Sequence, residues 1–554
     1  MNQRFCIGIL VAAVISTLTP AAWAATPAPS TTRAERPKLV VLLVVDGLPQ
    51  RQVMAYRDQL APDGFARFLD RGSWFAEAHY GHAFTVTGAG HATILTGAYS
   101  HRSGIIGNEW RDAQTGEPEY CAGDVSASYI GHATKPLDGT SPKNLKVESL
   151  GDVLMRLEPR SKVIAMSGKD RGAILPAGKS GTAYMYMSST GQFASSTFYM
   201  KEHPAWVNAF NVQRPADQYF KKQWTALLPE AAYARSLPDN QPWFGPQGGA
   251  LPMQYGTNDD EAPGPRFYGS LLRGPFADAM TLDFARAAII GEQLGADDAP
   301  DILSISLSGH DYVNHAFSAE SRLSHDHFLQ LDQMLQKFFK DLDARIGKGN
   351  YVAVLTADHG FTPAVEYSAS QGLPTGRISG SRTLSTVNTG LEAKFGPGKW
   401  VLGFSGASLL LNKSLLQQRA AEQDAIVEEA RNLLMTEPGA AVAYTRKELL
   451  SGSRSNEPLF ALLRKSWNPE VSGDVQYAIK PHWMFGTGGS AATHGSPYTN
   501  DTHVPILFYG PPWIGSGKVV QRVGVVDIAS TLAAILRVPA PAASEGVVLP
   551  LPRP

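Results

Sequence analysis

The sequence predicts an α/β fold with a mostly parallel central sheet and helices on both faces of that sheet. Three observations support this prediction. Several short runs of apolar, β-branched residues lack polar alternation, which is typical of strands that are buried on both faces. Segments with helical periodicity separate these runs. The alternation of the two kinds of segment along the chain indicates a parallel sheet whose strands are joined by helices.

The candidate strands and helices follow one another along most of the chain. The first apolar run reads KLVVLLVV, and the candidate strands lie at 38–45, 162–166, 302–307, 351–355 and 504–508. One candidate helix carries apolar residues three or four positions apart, which places them on a single face: Phe328, Leu331, Leu335, Phe338 and Leu342. Further helices are predicted near 147–157, 276–293, 414–434 and 526–536.

Two stretches fit this alternation poorly, and we interpret both as insertions that cap or flank the sheet. Residues 178–272 are rich in aromatic side chains, and 361–490 mix strand and helix signals with many Gly and Ser. The aromatic residues of the first stretch either form a small core of that insertion or stack on an aromatic group of a ligand. The sequence thus predicts one domain over 38–554, with two insertions in it.

The N-terminus has the features of a secretory signal peptide. Arg4 precedes an apolar stretch at about 5–18, and Ala22-Trp23-Ala24 matches a small-residue cleavage site. A transmembrane anchor is disfavoured, because the apolar stretch is shorter than the roughly 20 residues that a spanning helix needs. We therefore predict that 1–24 are removed near Ala24 and that 25–37 form a flexible leader. The protein would then be periplasmic or secreted, without a membrane span.

Composition argues against several classes of protein. The 554 residues include 49 basic and 50 acidic ones, which gives a formal net charge of −1. A chain without a basic surplus is a poor candidate for a dedicated nucleic-acid binder, and its apolar content of 43% excludes a disordered protein. Removal of the signal takes Cys6 away and leaves Cys121, so we predict no disulfide and an inert thiol. We expect a monomer.

Side chains that can bind metal follow the candidate strands, at the edge of an open α/β sheet where ligands bind. Three Asp and three His belong to this set: Asp46, Asp311, His315, Asp358, His359 and His494. Each has an ordinary alternative, since Asp after a strand is often a helix N-cap and a single His is most often a packed residue. Six ligands exceed what one tetrahedral zinc uses, which favours two ions. Mixed His and Asp ligands suit Zn²⁺, and the Asp-containing loops leave room for an additional Ca²⁺.

Residues 84–97 form a candidate nucleophile loop that turns into a helix. A hydroxyl at a helix N-terminus can meet a phosphate group that backbone N–H groups and the helix dipole hold in place. Thr85 and Thr87 are the candidates, and either could instead serve only as an N-cap. His91 lies one turn into the helix, and we interpret it as a packing or supporting residue rather than as a catalytic base.

Together, these motifs resemble the alkaline phosphatase superfamily over roughly 38–540. The matching motifs occur in the family's order: Asp46, Thr87-Gly88-Ala89-Gly90-His91, Gly107-Asn108, Asp311-x3-His315, Asp358-His359-Gly360 and His494-Gly495. The segment at 167–173, Ser-Gly-Lys-Asp-Arg-Gly-Ala, is similar to one in the bacterial phosphate-irrepressible alkaline phosphatases. These are secreted monoesterases with a threonine nucleophile.

The resemblance implies a role for each matching residue. Thr87 would be the nucleophile that is transiently phosphorylated. The groups that contact the phosphoryl oxygens would be Asn108, Lys169 and Arg171. The ligands of one zinc would be Asp311, His315 and His494, and those of the second Asp46, Asp358, His359 and the Thr87 oxygen. The implied function is an exported, zinc-dependent alkaline phosphatase that hydrolyses small phosphate monoesters through a phospho-threonine intermediate.

Two other functions stay open at this point. The first is a phosphodiesterase or nucleotide pyrophosphatase of the same superfamily, which would share the metal site. Lys169 and Arg171 argue against it, because cations favour a monoester with its additional charged oxygens. The second is a non-catalytic metal-binding or phosphate-binding protein, which would use the same ligands without turnover.

Overall fold

The structure is a computed structural model that describes Met1 and residues 36–244, 248–486 and 489–554. The predicted signal peptide beyond Met1, and the predicted leader up to residue 35, lie outside the described residues. Within the described part of the chain, no helix combines the length and the apolar character that crossing a bilayer requires.

The strands of the described residues are numbered in chain order. Their bounds are β1 Leu39–Val45, β2 Ser73–His79, β3 Glu109–Arg111, β4 Pro118–Tyr120, β5 Val163–Ser167, β6 Thr182–Met187, β7 Gln192–Ala194, β8 Gln223–Trp224, β9 Met253–Gln254, β10 Asp301–Leu307, β11 Tyr351–Thr356, β12 Gly376–Ile378, β13 Val401–Ser405, β14 Ser408–Leu411, β15 Ala440–Thr445, β16 Val475–Ile479, β17 Trp483–Phe485, β18 Ile506–Tyr509 and β19 Gly517–Gly524.

The α-helices are numbered in the same way. Their bounds are α1 Gln50–Ala55, α2 Phe65–Arg71, α3 Thr87–Thr96, α4 Ser100–Ser103, α5 Leu150–Leu157, α6 Asp170–Ala177, α7 Ala205–Val212, α8 Pro265–Ser270, α9 Pro275–Gly291, α10 Gly309–Phe317, α11 Arg322–Arg345, α12 Val365–Ser370, α13 Gly380–Phe395, α14 Lys413–Gln418, α15 Gln423–Leu434, α16 Arg446–Ser451, α17 Phe460–Ser466, α18 Thr499–Thr502 and α19 Asp527–Leu536. Short 3₁₀ helices lie at Arg57–Gln59, Asp217–Tyr219, Glu230–Tyr233 and Ala420–Glu422.

Nine strands form the central sheet, in the order β19-β2-β18-β11-β1-β10-β5-β6-β7. All of them run in one direction except β18 and β7, which are antiparallel to their neighbours. The register places Leu39 of β1 beside Asp301 of β10 and Tyr351 of β11, so the first apolar run pairs on both sides. The predicted mostly parallel α/β sheet is confirmed.

Both faces of the sheet are covered, which explains the continuous apolar runs. Along β5, Ile164 and Met166 join the large core that contains residues of α9. The alternate residue, Ala165, joins a second core together with Ala173 and Ile174 of α6. Because side chains alternate between the faces of a strand, each face needs its own apolar partner. All seven residues of β1 are accordingly fully buried.

The five candidate strands and the candidate helices have counterparts in the structure, with two differences. The strand expected at 504–508 is β18, which runs antiparallel to β11. The helix expected at 414–434 is divided into α14 and α15, because Arg419 between them has φ −117° and ψ 39°, outside the helical region.

The two predicted insertions differ in how they relate to the sheet. Part of 178–272 belongs to the central sheet itself, as β6 and β7 at its edge. The stretch 361–490 contains a separate four-stranded antiparallel sheet in the order β13-β14-β16-β15. Helices α13 and α15 close the core of this second sheet, which we call the flanking sheet.

Many aromatic residues of 178–272 pack into the main core instead of forming a separate one. Phe284 of α9 lies at the centre of one such group, with the ring of Phe193 stacked 4.3 Å away between centroids. The rings of Tyr184 and Trp206 lie 5.4 and 5.0 Å from Phe284. These side chains attach the segment after β6 to the sheet, so they are not free to stack on a ligand.

One buried histidine makes the fold sensitive to acid. The His82 ring is fully buried between Tyr80 and Tyr99, at centroid distances of 5.1 and 5.8 Å, and burial lowers its pKa to about 3. An unfolded chain protonates His near pH 6.5, whereas the buried ring resists protonation until about pH 3, so acid favours the unfolded chain between these two values. The free energy of unfolding therefore keeps its full value above pH 6.5 and falls as the pH is lowered towards 3, by about 2 kcal/mol at pH 5.

We expect His82→Phe to lose less stability than the wild type between pH 7.5 and pH 5, because Phe keeps the apolar ring and cannot be protonated. Urea unfolding at both pH values measures this difference. Equal losses in the two proteins would show that His82 is not a source of the acid sensitivity.

Candidate active site

The residues that the sequence singled out meet at one edge of the central sheet. Parallel strands bring their C-terminal ends to the same edge, and β1, β2, β5, β10 and β11 all end there. Because β18 runs in the opposite direction, the loop that precedes it reaches this edge as well. Residues that are far apart in the chain therefore come together in space, and His494 joins the site through this loop.

The first group of potential metal ligands contains Asp311, His315 and His494. Asp311 and His315 are one turn apart on α10, and the imidazole Nε2 of His315 lies 3.4 Å from Asp311 Oδ1. His494 Nε2 approaches the same oxygen at 3.6 Å. Ligand atoms of the three residues lie within 4.8 Å of one another, close enough for a single ion.

The second group contains Asp46, Asp358 and His359, all fully buried. His359 Nε2 lies 3.5 Å from Asp46 Oδ1 and 3.4 Å from Asp358 Oδ2. After Asp46 the chain turns at Gly47, whose φ of +71° lies in the left-handed region that favours glycine, and the Gly47 N–H donates to Asp358 Oδ1 at 3.0 Å. The two groups adjoin, since His359 Nε2 is 3.9 Å from Asp311 Oδ1.

Each of the three histidines is oriented by a hydrogen bond to a backbone carbonyl. The Nδ1 atoms of His315, His359 and His494 lie 2.9 to 3.0 Å from the carbonyl oxygens of Ala492, Gly360 and Thr85. A carbonyl oxygen only accepts, so each Nδ1 carries the proton and each Nε2 presents a lone pair to the site. This is the arrangement that protein metal sites use to orient histidine ligands.

Each carboxylate that faces these lone pairs has at least one oxygen without a hydrogen-bond donor. Among the described residues, Asp46 Oδ1, Asp311 Oδ1 and Asp358 Oδ2 are buried and have no hydrogen-bond partner. A buried charge without a partner is costly, so lone pairs and carboxylate oxygens facing one another call for cations between them. Nitrogen and oxygen donors of this kind fit Zn²⁺. The residues present therefore fit the two predicted metal ions.

One protein cation already lies among these carboxylates. The Lys169 ammonium is 2.7 Å from Asp46 Oδ2 and 2.5 Å from Asp311 Oδ2, so it connects the two ligand groups. Its side chain is almost fully buried. Burial opposes its positive charge, but the two carboxylates outweigh burial and raise the pKa of Lys169.

Burial and the neighbouring charges shift the pKa values of the ligands in different directions. Burial, together with Asp358, raises the pKa of Asp46 well above its usual value. Burial also opposes ionisation of Asp311, but Lys169 and the three imidazoles outweigh it, and the pKa of Asp311 lies well below its usual range. Burial lowers the pKa of His315 and of His494, so these rings are neutral and can act as ligands.

Thr87 is the first residue of α3 and is buried next to the second group. Its Oγ1 lies 3.4 Å from His359 Nε2. The helix approaches the ligands so closely that a Cβ on Gly90 would collide with the carbonyl oxygen of Asp358. Thr85, the alternative candidate, instead donates its hydroxyl to the carbonyl of Ser496 at 2.9 Å. Of the two hydroxyls, only that of Thr87 lies beside the metal ligands.

Asn108 contacts the start of α3, and Arg171 lies on α6, a helix that packs against α3. Asn108 Oδ1 accepts the N–H of Gly88 at 2.7 Å, so its amide nitrogen is available to another acceptor. Arg171 is in the first turn of α6 and donates to the Tyr120 hydroxyl at 3.0 Å, while that hydroxyl donates to Asp170. The helix begins at Asp170, so Lys169 lies immediately before it and Arg171 lies within its first turn.

Supporting residues complete the site, and the sequence indicated only one of them. His91 is fully buried, with Nδ1 3.0 Å from the Thr87 carbonyl oxygen and 3.3 Å from Asp358 Oδ2, which agrees with the expected supporting role. Asp501 fixes the loop of His494 by accepting from Thr362 Oγ1 and from the N–H of Ser496, both at 2.8 Å. No sequence motif pointed to Asp501 or to Tyr120, because each acts through contacts distant in the chain.

A third group of potential ligands, Glu77, His79 and His503, was also missed, since its members are far apart in the sequence. The two rings stack at a centroid distance of 4.5 Å. Burial lowers the pKa of both imidazoles, and the charge of Arg522, which pairs in register with Glu77 from the adjacent strand β19, lowers it further. That positive charge disfavours a metal ion here too.

The single cysteine of the described residues is Cys121. It is buried behind α3, close enough that a Cβ on Gly88 would lie 3.2 Å from its Sγ. Burial raises the pKa of its thiol to about 12, so the thiol stays protonated and unreactive. This supports the expectation of an inert cysteine.

Known proteins resemble this chain along nearly its whole length. A family model described as type I phosphodiesterase / nucleotide pyrophosphatase matches residues 40–498. Alkaline phosphatase PafA of Elizabethkingia meningoseptica is 33% identical over 522 residues, covering 94% of this chain and 95% of that protein. Alkaline phosphatase PhoV of Synechococcus elongatus is 34% identical over 529 residues, covering 93% of this chain and 92% of that protein. The crystal structure of wild-type PafA matches with a TM-score of 0.85 and 32% identity, over 93% of this chain and 98% of that one.

Proposed function

Because the chain belongs to the type I phosphodiesterase / nucleotide pyrophosphatase family, within the alkaline phosphatase superfamily, we propose that it is a zinc-dependent alkaline phosphatase. Its substrates are small phosphate monoesters, and it is exported to the periplasm or the medium as a monomer. Two relatives that align with more than nine-tenths of the chain are themselves named alkaline phosphatases. These comparisons confirm the superfamily that the order of the sequence motifs indicated.

The observation that carries this proposal is the position of Thr87. Its hydroxyl lies at the N-terminus of a ten-residue helix, 3.4 Å from a histidine of the second ligand group. Asn108 holds the first turn of that helix, and Arg171 supplies a cation from the adjacent helix α6. A hydroxyl at a helix N-terminus, with cations on a neighbouring segment, is suited to transfer of a phosphoryl group.

Each residue then has a defined task in the reaction. Thr87 Oγ1 attacks the phosphorus, the bond to the leaving oxygen breaks, and water later hydrolyses the phosphothreonine to free threonine and phosphate. The two ligand groups would hold Zn²⁺, which would supply Lewis acidity and so lower the pKa of the Thr87 hydroxyl and of the leaving alcohol. The Asn108 amide and the Arg171 guanidinium bind the non-bridging oxygens, and Lys169 balances the charge of Asp46 and Asp311.

A phosphodiesterase is the second candidate, favoured by the description of the family model. The two activities differ in the charge of the substrate, because a monoester has one more charged oxygen than a diester. Lys169 and Arg171 follow strand β5, at the same edge of the sheet as Thr87. Two cations at this edge favour binding of the monoester, which carries more negative charge than the diester.

The test uses the purified mature protein, its metal content and two substrates with the same leaving group, p-nitrophenyl phosphate and bis-p-nitrophenyl phosphate. We expect about two zinc ions per chain and a much larger kcat/KM for the monoester. A preference for the diester would replace our proposal with a phosphodiesterase. Bound metal without turnover of either substrate would replace it with a metal-binding protein.

A further inference from the structure

A cavity of about 460 Å³ opens directly beside the first ligand group. His315, His494 and Asn108 form the wall that faces the site. The opposite wall belongs to the segment 361–490, and Phe404 and Phe485 are among its residues. The cavity is therefore lined on one side by candidate ligands at the edge of the central sheet and on the other by side chains of the flanking sheet and its surroundings.

The opposite wall is aromatic. Phe404 of β13, Tyr477 of β16 and Phe485 of β17 form a triangle of rings whose centroids are 5.6 to 5.8 Å apart. Both phenylalanines are only partly buried, so their rings present apolar surface to the cavity. Phe84, at the start of the nucleophile loop, adds a further ring to the lining. Such a wall suits a planar, apolar group.

The position of Thr87 determines which part of a substrate reaches this cavity. The Thr87 hydroxyl lies beside His359 of the second group. In an in-line displacement the leaving oxygen departs on the side opposite the nucleophile. The first group adjoins the second, so we place the leaving oxygen beside the first group, two of whose members, His315 and His494, line the cavity. The leaving group of a monoester therefore points into the cavity.

The charges of the lining also restrict its occupant. No Lys or Arg is among the described residues of the lining, and its one carboxylate, Asp501, is held by Ser496 and Thr362. A second anionic group would thus find no cation there, whereas an aromatic ring would bury apolar surface against apolar rings.

We propose that this cavity is the leaving-group site, an inference that rests on the proposed phosphatase function. The site selects monoesters whose leaving alcohol carries an aromatic or heteroaromatic ring. The selectivity is supplied by the segment 361–490, not by the aromatic stretch 178–272, for which stacking on a ligand was considered from the sequence. Phe404 and Phe485 are the specificity-determining residues, and they take no part in bond making or breaking.

The test compares 2-phenylethyl phosphate with ethyl phosphate, because both release an aliphatic alcohol of similar basicity and differ in the ring. We expect the wild type to favour the phenyl substrate about 10- to 100-fold in kcat/KM, the range for burying one aromatic side group. Phe404→Ala and Phe485→Ala should lower kcat/KM for the phenyl substrate about tenfold and leave that for ethyl phosphate nearly unchanged. Phe404→Leu and Phe485→Leu test the loss of the ring where an alanine variant fails to fold.

The matched control is Phe395→Leu. Phe395 belongs to the same segment but is buried in the core of the flanking sheet beside Trp400, and it does not line the cavity. It should keep the preference of the wild type. Inhibition constants for phenylphosphonate and methylphosphonate give a readout of binding without turnover, and the phenyl compound should bind more tightly only while both rings are present.

The possible failures are distinguishable. Hydrolysis of both alkyl phosphates with equal kcat/KM, and equal inhibition by the two phosphonates, would overturn the leaving-group site and leave the phosphatase function intact. Hydrolysis of neither substrate would refute the phosphatase function itself. A preference that survives in both alanine variants would assign the selectivity to another surface.

Discussion

Replacing Thr87 with alanine is expected to lower kcat for p-nitrophenyl phosphate by at least about 10³-fold, because it removes the oxygen that attacks phosphorus. The variant should keep its fold and its metal content, since the carboxylates and imidazoles of both ligand groups are unchanged. Metal analysis and steady-state kinetics measure both quantities on the same preparation. Thr87→Ser, which keeps a hydroxyl at this place, should recover much of the lost activity.

Thr85→Ala is the matched control for this prediction. Thr85 is two residues away and equally buried, but its hydroxyl donates to the carbonyl of Ser496 and does not approach the ligands. Its loss should cost far less activity than the loss of Thr87. If Thr87→Ala hydrolysed the monoester as fast as the wild type, Thr87 would not be the nucleophile, and water would have to attack the substrate directly.

The sequence predicts the strands of the central sheet where both faces are buried. The runs that became β1, β5 and β11 contain little besides apolar residues, whereas β10 also contains Ser304 and Ser306, both buried. Strand β19 was not predicted, because half of its residues are exposed and polar residues interrupt its apolar ones. An apolar run also carries no information about direction, which is why the antiparallel orientation of β18 appeared only in the structure.

The same reasoning explains what the sequence could establish about the site. The C-terminal ends of parallel strands share one edge, so the proximity of Asp46, Asp311 and Asp358 follows from their positions after strands. The bonds from the three imidazole Nδ1 atoms to backbone carbonyls depend on loop conformations that no local pattern specifies. The aromatic cavity combines segments more than 300 residues apart in the chain, so no local sequence pattern indicated it.

The position of Lys169 changes how its role has to be tested. The resemblance implies that it contacts the phosphoryl group, whereas the structure places its ammonium between Asp46 and Asp311. Both arrangements put a positive charge beside the transferred group. In the structure, the ammonium also balances the negative charge of the metal ligands. Lys169→Ala therefore alters both the charge beside the transferred group and the charge balance of the ligands. Arg171 contacts none of these carboxylates among the described hydrogen bonds and ion pairs, and it gives the cleaner experiment.

Arg171→Ala is expected to lower kcat/KM for p-nitrophenyl phosphate by about 10²- to 10³-fold and to change that for bis-p-nitrophenyl phosphate by less than about tenfold. The guanidinium stabilises the additional negative charge of a monoester, and in a diester an organic group takes the place of that charged oxygen. Kinetics on the two substrates, whose leaving group is the same, isolate this difference. Lys169→Ala should change the ratio in the same direction, and metal analysis must accompany it.

Tyr120→Phe is the control that separates the charge of Arg171 from its position. It removes the hydroxyl that accepts from Arg171 at 3.0 Å and keeps both the ring and the guanidinium. If position matters, this variant should lose part of the monoester activity, less than Arg171→Ala does, and again spare the diester. If Arg171→Ala lowered kcat/KM equally for the monoester and the diester, the arginine would support the fold of the site and would not distinguish substrates by their charge.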